Sequence, residues 1–184
     1  QSPITVSLTG AHEREFITYQ EEAEPLEWPV DRPRVGATHV SVERALPDWV
    51  ARLREQGTVV YGGVGWDSSG MWSDEVLGRL DQIDVFVPND VEAMRYTQTD
   101  DAYAAARELG RYVELAVVTR GAYGAIAYER STGQLTEVPS VKVTAIDPTG
   151  AGDVFVASFM ASGALDWPVE ERLRLAVLSA SLSV

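Results

Sequence analysis

From Ala37 onward, short runs rich in β-branched residues alternate with segments long enough for helices, and that alternation leaves few folds open. ATHVSV reads as a strand, and Leu46 to Gln56 as a helix that Gly57 stops. TVVY is the next strand, and GGVGWDSSGMW follows as a glycine-rich loop. SDEVLGRL reads as a helix with Ser73 as its cap and Asp74 and Glu75 in its first turn. IDVFVP is a strand, Asp90 to Tyr96 and Asp101 to Leu109 are helices, and LAVVT is a strand that runs into RGAYG. AIAYE and QLTEVP form a hairpin across RSTG, and VKVTAI has the alternation of one more strand. Two helices close the chain: one over VFVASFMASGA, the other from about Pro168. The fold class expected is α/β: a three-layer, Rossmann-like arrangement on a mostly parallel sheet. Ligands bind such sheets beyond the carboxyl ends of the strands.

Ahead of this region, Ile4 to Leu8 and Glu15 to Tyr19 are strand-like, and TGAHER between them makes a hairpin. Residues 20–34 are rich in acids and prolines without a clear period and read as a loop. The expected organisation is a β hairpin over residues 1–20, as a lid or sheet edge, and an α/β core over residues 21–184.

Four strand ends carry residues suited to chemistry. DPTGAGD, Asp147 to Asp153, is the strongest of them. Pro148 biases Asp147 toward extended backbone and so ends the strand VKVTAI, and Thr149 can cap the helix that follows. Gly150, Ala151 and Gly152 would present unpartnered N–H groups at the positive end of the helix dipole, a site for an anion such as phosphate. Asp153 lies beside them, its ionised form favoured by the dipole, ready to accept a hydroxyl proton. Taken alone, the motif fits equally an ordinary capped helix start with glycines for close packing. The other ends are Glu43 and Arg44 after ATHVSV, Asn89 to Glu92 after IDVFVP, and Thr119 to Gly121 after LAVVT. Asn89 also reads as a turn residue after Pro88, and Glu92 as a first-turn helix acid.

Charge and composition exclude several classes of function. A net charge of -13 argues against nucleic acid or an anionic membrane surface as partner, since both need a basic face. Cysteine is absent, so neither disulfides nor thiolate chemistry enter. His12 and His39, the only histidines, are far apart in sequence, which argues against a histidine zinc site or a Ser-His triad. No apolar run approaches a membrane span and no signal pattern opens the chain, so a soluble, cytoplasmic protein is expected. Trp49, Trp66 and Trp72 read as packing residues, with Trp66 and Asp67 on a loop able to face the site.

DPTGAGD, VPNDVEA with Asn89 and Glu92, and VVTRGAYGA occur in the order found in the ribokinase-like (PfkB) carbohydrate kinases, and the chain resembles that family over nearly all of its length. The N-terminal ITVSLTGAHEREFITY resembles the lid strands that precede these motifs. Ser158 departs from the alanine or glycine usual in the signature, and Val177 stands where many relatives carry asparagine. The resemblance implies a ribokinase-like fold with a small β lid, and transfer of the γ-phosphoryl of ATP to a hydroxyl of a sugar. Asp153 would be the base and contact substrate, and Gly150, Ala151 and Gly152 would form the anion hole. Asn89 and Glu92 would orient Mg²⁺, with Asn89, Thr119 and Gly121 along the nucleotide. Asp147 and Thr149 correspond to positions that hold a monovalent cation, K⁺, in some members, and Glu43 to a sugar contact. It also implies a chain shorter than its relatives at both ends, and a homodimer through the hairpin. The alternatives to a sugar kinase are a nucleoside kinase, a non-catalytic nucleotide- or sugar-binding regulator, and a plain α/β interaction domain.

Overall fold

The computed structural model describes residues 4–9, 14–19, 34–67 and 69–184. The turn expected over residues 10–13 and the loop expected over residues 20–33 lie outside the described residues. The chain divides into two units, Gln1–Asp31 and Arg32–Val184. In the first, β1 (Ile4–Thr9) and β2 (Arg14–Tyr19) pair antiparallel, Ile4 opposite Tyr19 and Thr9 opposite Arg14.

The second unit is built on a six-stranded sheet of order β3-β4-β5-β6-β7-β8. The strands are β3 (Ala37–Ser41), β4 (Val59–Gly63), β5 (Val85–Phe86), β6 (Leu115–Thr119), β7 (Ala125–Glu129) and β8 (Gln134–Val138). The pairs from β3 to β6 are parallel, and β6-β7-β8 is antiparallel. A parallel neighbour requires a crossover, and here helices supply each one. They are α1 (Asp48–Glu55), α2 (Asp74–Gly78), and the pair α3 (Asp90–Thr97) and α4 (Ala102–Leu109). β7 follows β6 and β8 follows β7 through short turns, so these pairs are antiparallel. α5 (Ala151–Gly163) and α6 (Val169–Leu182) complete the chain.

Strand side chains alternate between two cores, as the period of two demands. Val42, Val60, Phe86, Ala116, Val118 and Ile126 pack with residues of α1 to α4 on one face. Tyr61, Val85, Val117 and Ala127 pack on the other against Phe155 and Phe159 of α5 and Leu173 and Val177 of α6. The expected three layers follow from this. Apolar residues occur at nearly every position of β4 and β6 because both faces are covered. Arg172 of α6 ties the second face together: its guanidinium lies 4.2 Å from the Phe159 ring centroid and donates to the Tyr61 hydroxyl at 2.9 Å.

Two local expectations are corrected. VKVTAI is not a strand: residues 141–146 form no ladder, and Val141, Val143 and Ile146 are exposed. Its β-branched alternation is genuine, but strand stability resides in cross-strand packing, and no described strand pairs with it. Thr149 does not cap α5. The N-cap is Gly150, whose φ of 83° lies in the left-handed region that glycine enters at no steric cost.

Candidate active site

The first turn of α5 sets the chemistry. The Asp147 carboxylate accepts from the Thr149 N–H at 2.9 Å, a local turn that brings the chain round to Gly150. The Ala151 N–H folds back onto the Pro148 carbonyl at 3.2 Å, and the Val154 N–H bonds to the Gly150 carbonyl at 2.9 Å. The N–H groups of Gly152 and Asp153 between them have no partner within the turn and stand at the dipole's positive end. Gly152 has open space where a Cβ would stand, so a ligand can reach its backbone. Asp153 is exposed at this end.

A parallel bridge between Asn89 and Thr119 joins the ends of β5 and β6, and the Thr119 N–H donates to the Pro88 carbonyl at 3.0 Å. After it, Gly121 adopts a φ of 51° and opens a short 3-10 turn, Gly121–Tyr123. Asn89 caps α3 with a reciprocal pair: its side chain accepts from the Glu92 N–H at 2.8 Å, and Glu92 Oε2 accepts from the Asn89 N–H at 2.9 Å. The spacing of asparagine and glutamate therefore serves the helix as well as any ligand. It leaves Glu92 Oε1 outside the capping pair. The donor set is all oxygen, which suits a hard cation such as Mg²⁺ held partly through water. Among the described residues, no group of three or more carboxylate or imidazole side chains forms a metal cluster.

Glu92 is only 7% exposed. Burial pushes its pKa up, its two hydrogen bonds with Asn89 pull it back, and Glu43 and Asp90 nearby add to the rise. The sign follows. In the unfolded chain the carboxyl ionises in its ordinary range, whereas in the folded chain it must ionise against desolvation. Its contribution to stability therefore declines as pH rises from that range through the raised pKa. In Glu92→Gln this decline is absent. Urea unfolding should show the variant gaining on the parent as pH is raised from the ordinary carboxylate range. A difference that stays constant as pH rises would contradict the reading.

One cavity of about 680 Å³ joins two of the expected strand ends. Thr119 and Gly121 line it on one side, Ala151 and Gly152 on another, with Phe155 and Val177 as apolar walls. Lys142, the chain's one lysine, also lines it. Sequence reading passed over this residue, although a lone lysine five positions before DPTGAGD was visible there. Glu43 lies elsewhere. Its Oε1 accepts from the Gly65 N–H at 2.5 Å, and it lines a separate cavity of about 300 Å³ with Trp66, Asp67, Met71 and Tyr96. Trp66 stacks edge-on against Trp72 at 5.3 Å, and Trp72 in turn against Tyr96 at 5.1 Å, while Trp49 and Trp72 pack on the core. Trp66 itself is exposed.

His39 is the second residue passed over. It lies opposite Tyr61 in the β3-β4 register, on the face that α5 covers. Burial of part of its ring lowers its pKa, and the Asp153 charge pulls the other way, although the residue as a whole keeps an exposed side. A histidine on a strand, four residues before a candidate sugar contact, was the available signal.

Comparison with known proteins bears on this arrangement. The chain is 32% identical over 117 residues to a cytidine kinase of Thermococcus kodakarensis, covering 59% of this chain and 42% of that protein. It is 36% identical over 107 residues to a deoxyribokinase of Salmonella typhi, covering 55% of this chain and 34% of that one. The chain thus spans well under half the length of these curated relatives. Among solved structures, a fructokinase from Vibrio cholerae O395 superposes with a TM-score of 0.77 at 19% identity, over 97% of this chain and 66% of that one. That likeness shows a shared fold. The family described as pfkB family carbohydrate kinase matches residues 4–184. Carrying that match over both strand-end motifs and the α5 turn, the chain belongs to the pfkB family of carbohydrate kinases.

Proposed function

We propose that this chain carries the catalytic centre of an ATP-dependent phosphotransferase that moves the γ-phosphoryl group of Mg-ATP to a hydroxyl of a sugar. One observation carries the reading: the open N-terminal turn of α5, which ends in Asp153, borders the same cavity as the Thr119–Gly121 turn. The nucleotide would lie in that cavity, its base against Phe155 and Val177 and its phosphates toward Gly152. Asp153 takes the proton from the acceptor hydroxyl, the hydroxyl oxygen bonds to the γ-phosphorus, and the bond to the β-phosphate oxygen breaks to leave ADP. The α5 turn, from Gly150 through Ala151 and Gly152, stabilises the charge growing on the transferred group, an effect that is typically the largest single term. Mg²⁺ bound with the phosphates would neutralise their charge; Glu92 and Asn89 would hold it through water. A solved relative described as a putative ribokinase II in complex with ATP and Mg²⁺ supports both ligands. The monovalent cation expected from the resemblance is assigned to Asp147 and Thr149. The N-terminal hairpin is assigned as lid and as the homodimer contact, and the protein is assigned to the cytoplasm. Among the described residues, no helix is long and apolar enough to cross a membrane.

A second reading, a nucleoside acceptor, is favoured by the likeness to the cytidine kinase. The test is ADP release from Mg-ATP by the longest natural form of this chain, with sugars and nucleosides supplied as separate pools. ADP release that requires the sugar pool is expected. Release that requires only nucleosides would move the assignment to the second reading. Saturable binding without release would replace both with a non-catalytic regulator.

A further inference from the structure

We infer that His39 is an acceptor-binding residue, placed to hydrogen-bond a second hydroxyl on the molecule whose reacting hydroxyl faces Asp153. The inference rests on the kinase reading for the identity of the acceptor, and on geometry for the placement. β3 pairs with β4 so that His39 stands opposite Tyr61 and Ser41 opposite Gly63. Paired residues share a face, and Tyr61 packs against Phe159 of α5, so the imidazole projects from the sheet face that α5 covers. The ring then leans along the strand toward its carboxyl end. A Cβ added to Gly63 would stand 2.8 Å from His39 Nε2 and 3.2 Å from Cε1. Glycine at 63 is therefore what lets the ring lie there, since even a methyl group would push it aside.

Asp153 approaches the same end of the sheet from the first turn of α5. Ala151 and Gly152 of that turn line one cavity with Thr119 and Gly121 at the carboxyl end of β6, which puts the turn at the end of the sheet toward which the His39 ring leans, and the Asp153 charge acts on the imidazole. A neutral imidazole offers one donor and one acceptor nitrogen, the complement of a hydroxyl, and partial burial of the ring favours the neutral form. The ligand class is therefore a polyol, with a hydroxyl neighbouring the one that is phosphorylated. His39 takes no part in the proton transfer; its contribution is to bind and orient the acceptor.

The test uses the longest natural form of this chain and two readouts. The first is the imidazole NMR signal of His39, identified by its loss in His39→Gln, during titration with ribose, fructose and other candidate sugars. At least one sugar should move the signal saturably. If none does, the inference falls, whether or not ADP is released. A shift without any ADP release would keep the inference and reject the kinase reading. The second readout is steady-state kinetics on the sugar that shifts the signal. His39→Ala should raise the acceptor KM about tenfold, as expected for one lost hydrogen bond. The ATP KM should be unchanged, and His39→Gln, which keeps a donor and an acceptor, should recover part of the loss. Gly63→Ala should resemble His39→Ala. An acceptor KM that His39→Ala leaves within about twofold, on the threshold of the weakest hydrogen bonds, overturns the assignment.

Discussion

Asparagine at position 153 is expected to lower acceptor-dependent ADP release by a factor of about 10² to 10⁴, the range contributed by a positioned general base. Asparagine matches aspartate in shape but cannot take the acceptor's proton. The fold should not notice the change. Asp153 is exposed in the first turn of α5, and its removal forfeits a helix-dipole contribution of about 0.3 to 1 kcal/mol at most. The Gly152 N–H and the walls of the cavity proposed for the nucleotide remain in place, so ATP affinity should hold. A charge effect on His39 should accompany the kinetic one. The Asp153 carboxylate raises the His39 pKa against the lowering by burial, so its neutralisation should lower that pKa further. Three measurements on one variant therefore separate a base from a structural residue: turnover, ATP affinity and the His39 titration. If turnover persists within about tenfold, too little for general-base catalysis, Asp153 is not the base.

Where sequence and structure agree, local physics and tertiary pairing favour the same answer. LAVVT is a strand as read, because it is apolar on both faces and occupies an inner position of the sheet. Ser73 accepts from the Glu75 N–H at 3.2 Å, as its place before two acids suggests. Asn89 and Glu92 were legible as a strand-end pair, and their reciprocal capping shows why that spacing holds a helix. The family resemblance rests on VPNDVEA, which holds Asn89 and Glu92, on VVTRGAYGA and on DPTGAGD.

Apart from the Thr149 cap, which Gly150 beside it takes over, the failures share a physical cause: each depended on a neighbour distant in sequence. Gly62 and Gly63 read as loop residues, yet they end β4. A Cβ on Gly62 would run into the Ile83 side chain and stand 3.0 Å from Val42 Cγ1, and one on Gly63 would meet His39. Glycine in these places marks close approach within a sheet rather than a turn. VKVTAI had the right alternation and no partner strand. His39 was judged by its sequence distance from His12, a measure that carries nothing about which carboxylate it faces. Of the strand-end residues, Thr119, Gly121, Ala151 and Gly152 line one cavity, and Asn89 and Glu92 are not among its lining. Glu43 lines a different one, because its carboxylate is held by the Gly65 N–H.

The largest stability effect is expected at Gly124, in the turn between β6 and β7. Gly124 has φ 88° and ψ -133°, a conformation that side chains rarely adopt, and its forced occupation by alanine costs on the order of 1 to 3 kcal/mol. Space is the second problem. A Cβ there would collide with the Val138 carbonyl oxygen and stand 2.7 Å from both Pro139 C and Ser140 N. These are backbone atoms, so no rotamer change relieves the contact. Moving them would pull on the β7-β8 register, in which Val138 pairs with Ala125, and on Ser140, which lines the cavity proposed for the nucleotide. Overpacking of this kind adds on the order of 1 to 3 kcal/mol. Gly124→Ala should therefore cost about 3 kcal/mol or more, a large share of the total stability of a domain this size. Gly133, in the turn between β7 and β8, supplies the control. Its φ of 69° is also left-handed, but nothing lies within 4 Å of an added Cβ. Gly133→Ala should pay only the torsional cost, about 1 to 2 kcal/mol. Urea midpoints for the two variants isolate the steric part of the difference. Equal losses would mean that the chain between β8 and α5 yields readily, and the cavity wall formed by Ser140 would then be soft as well.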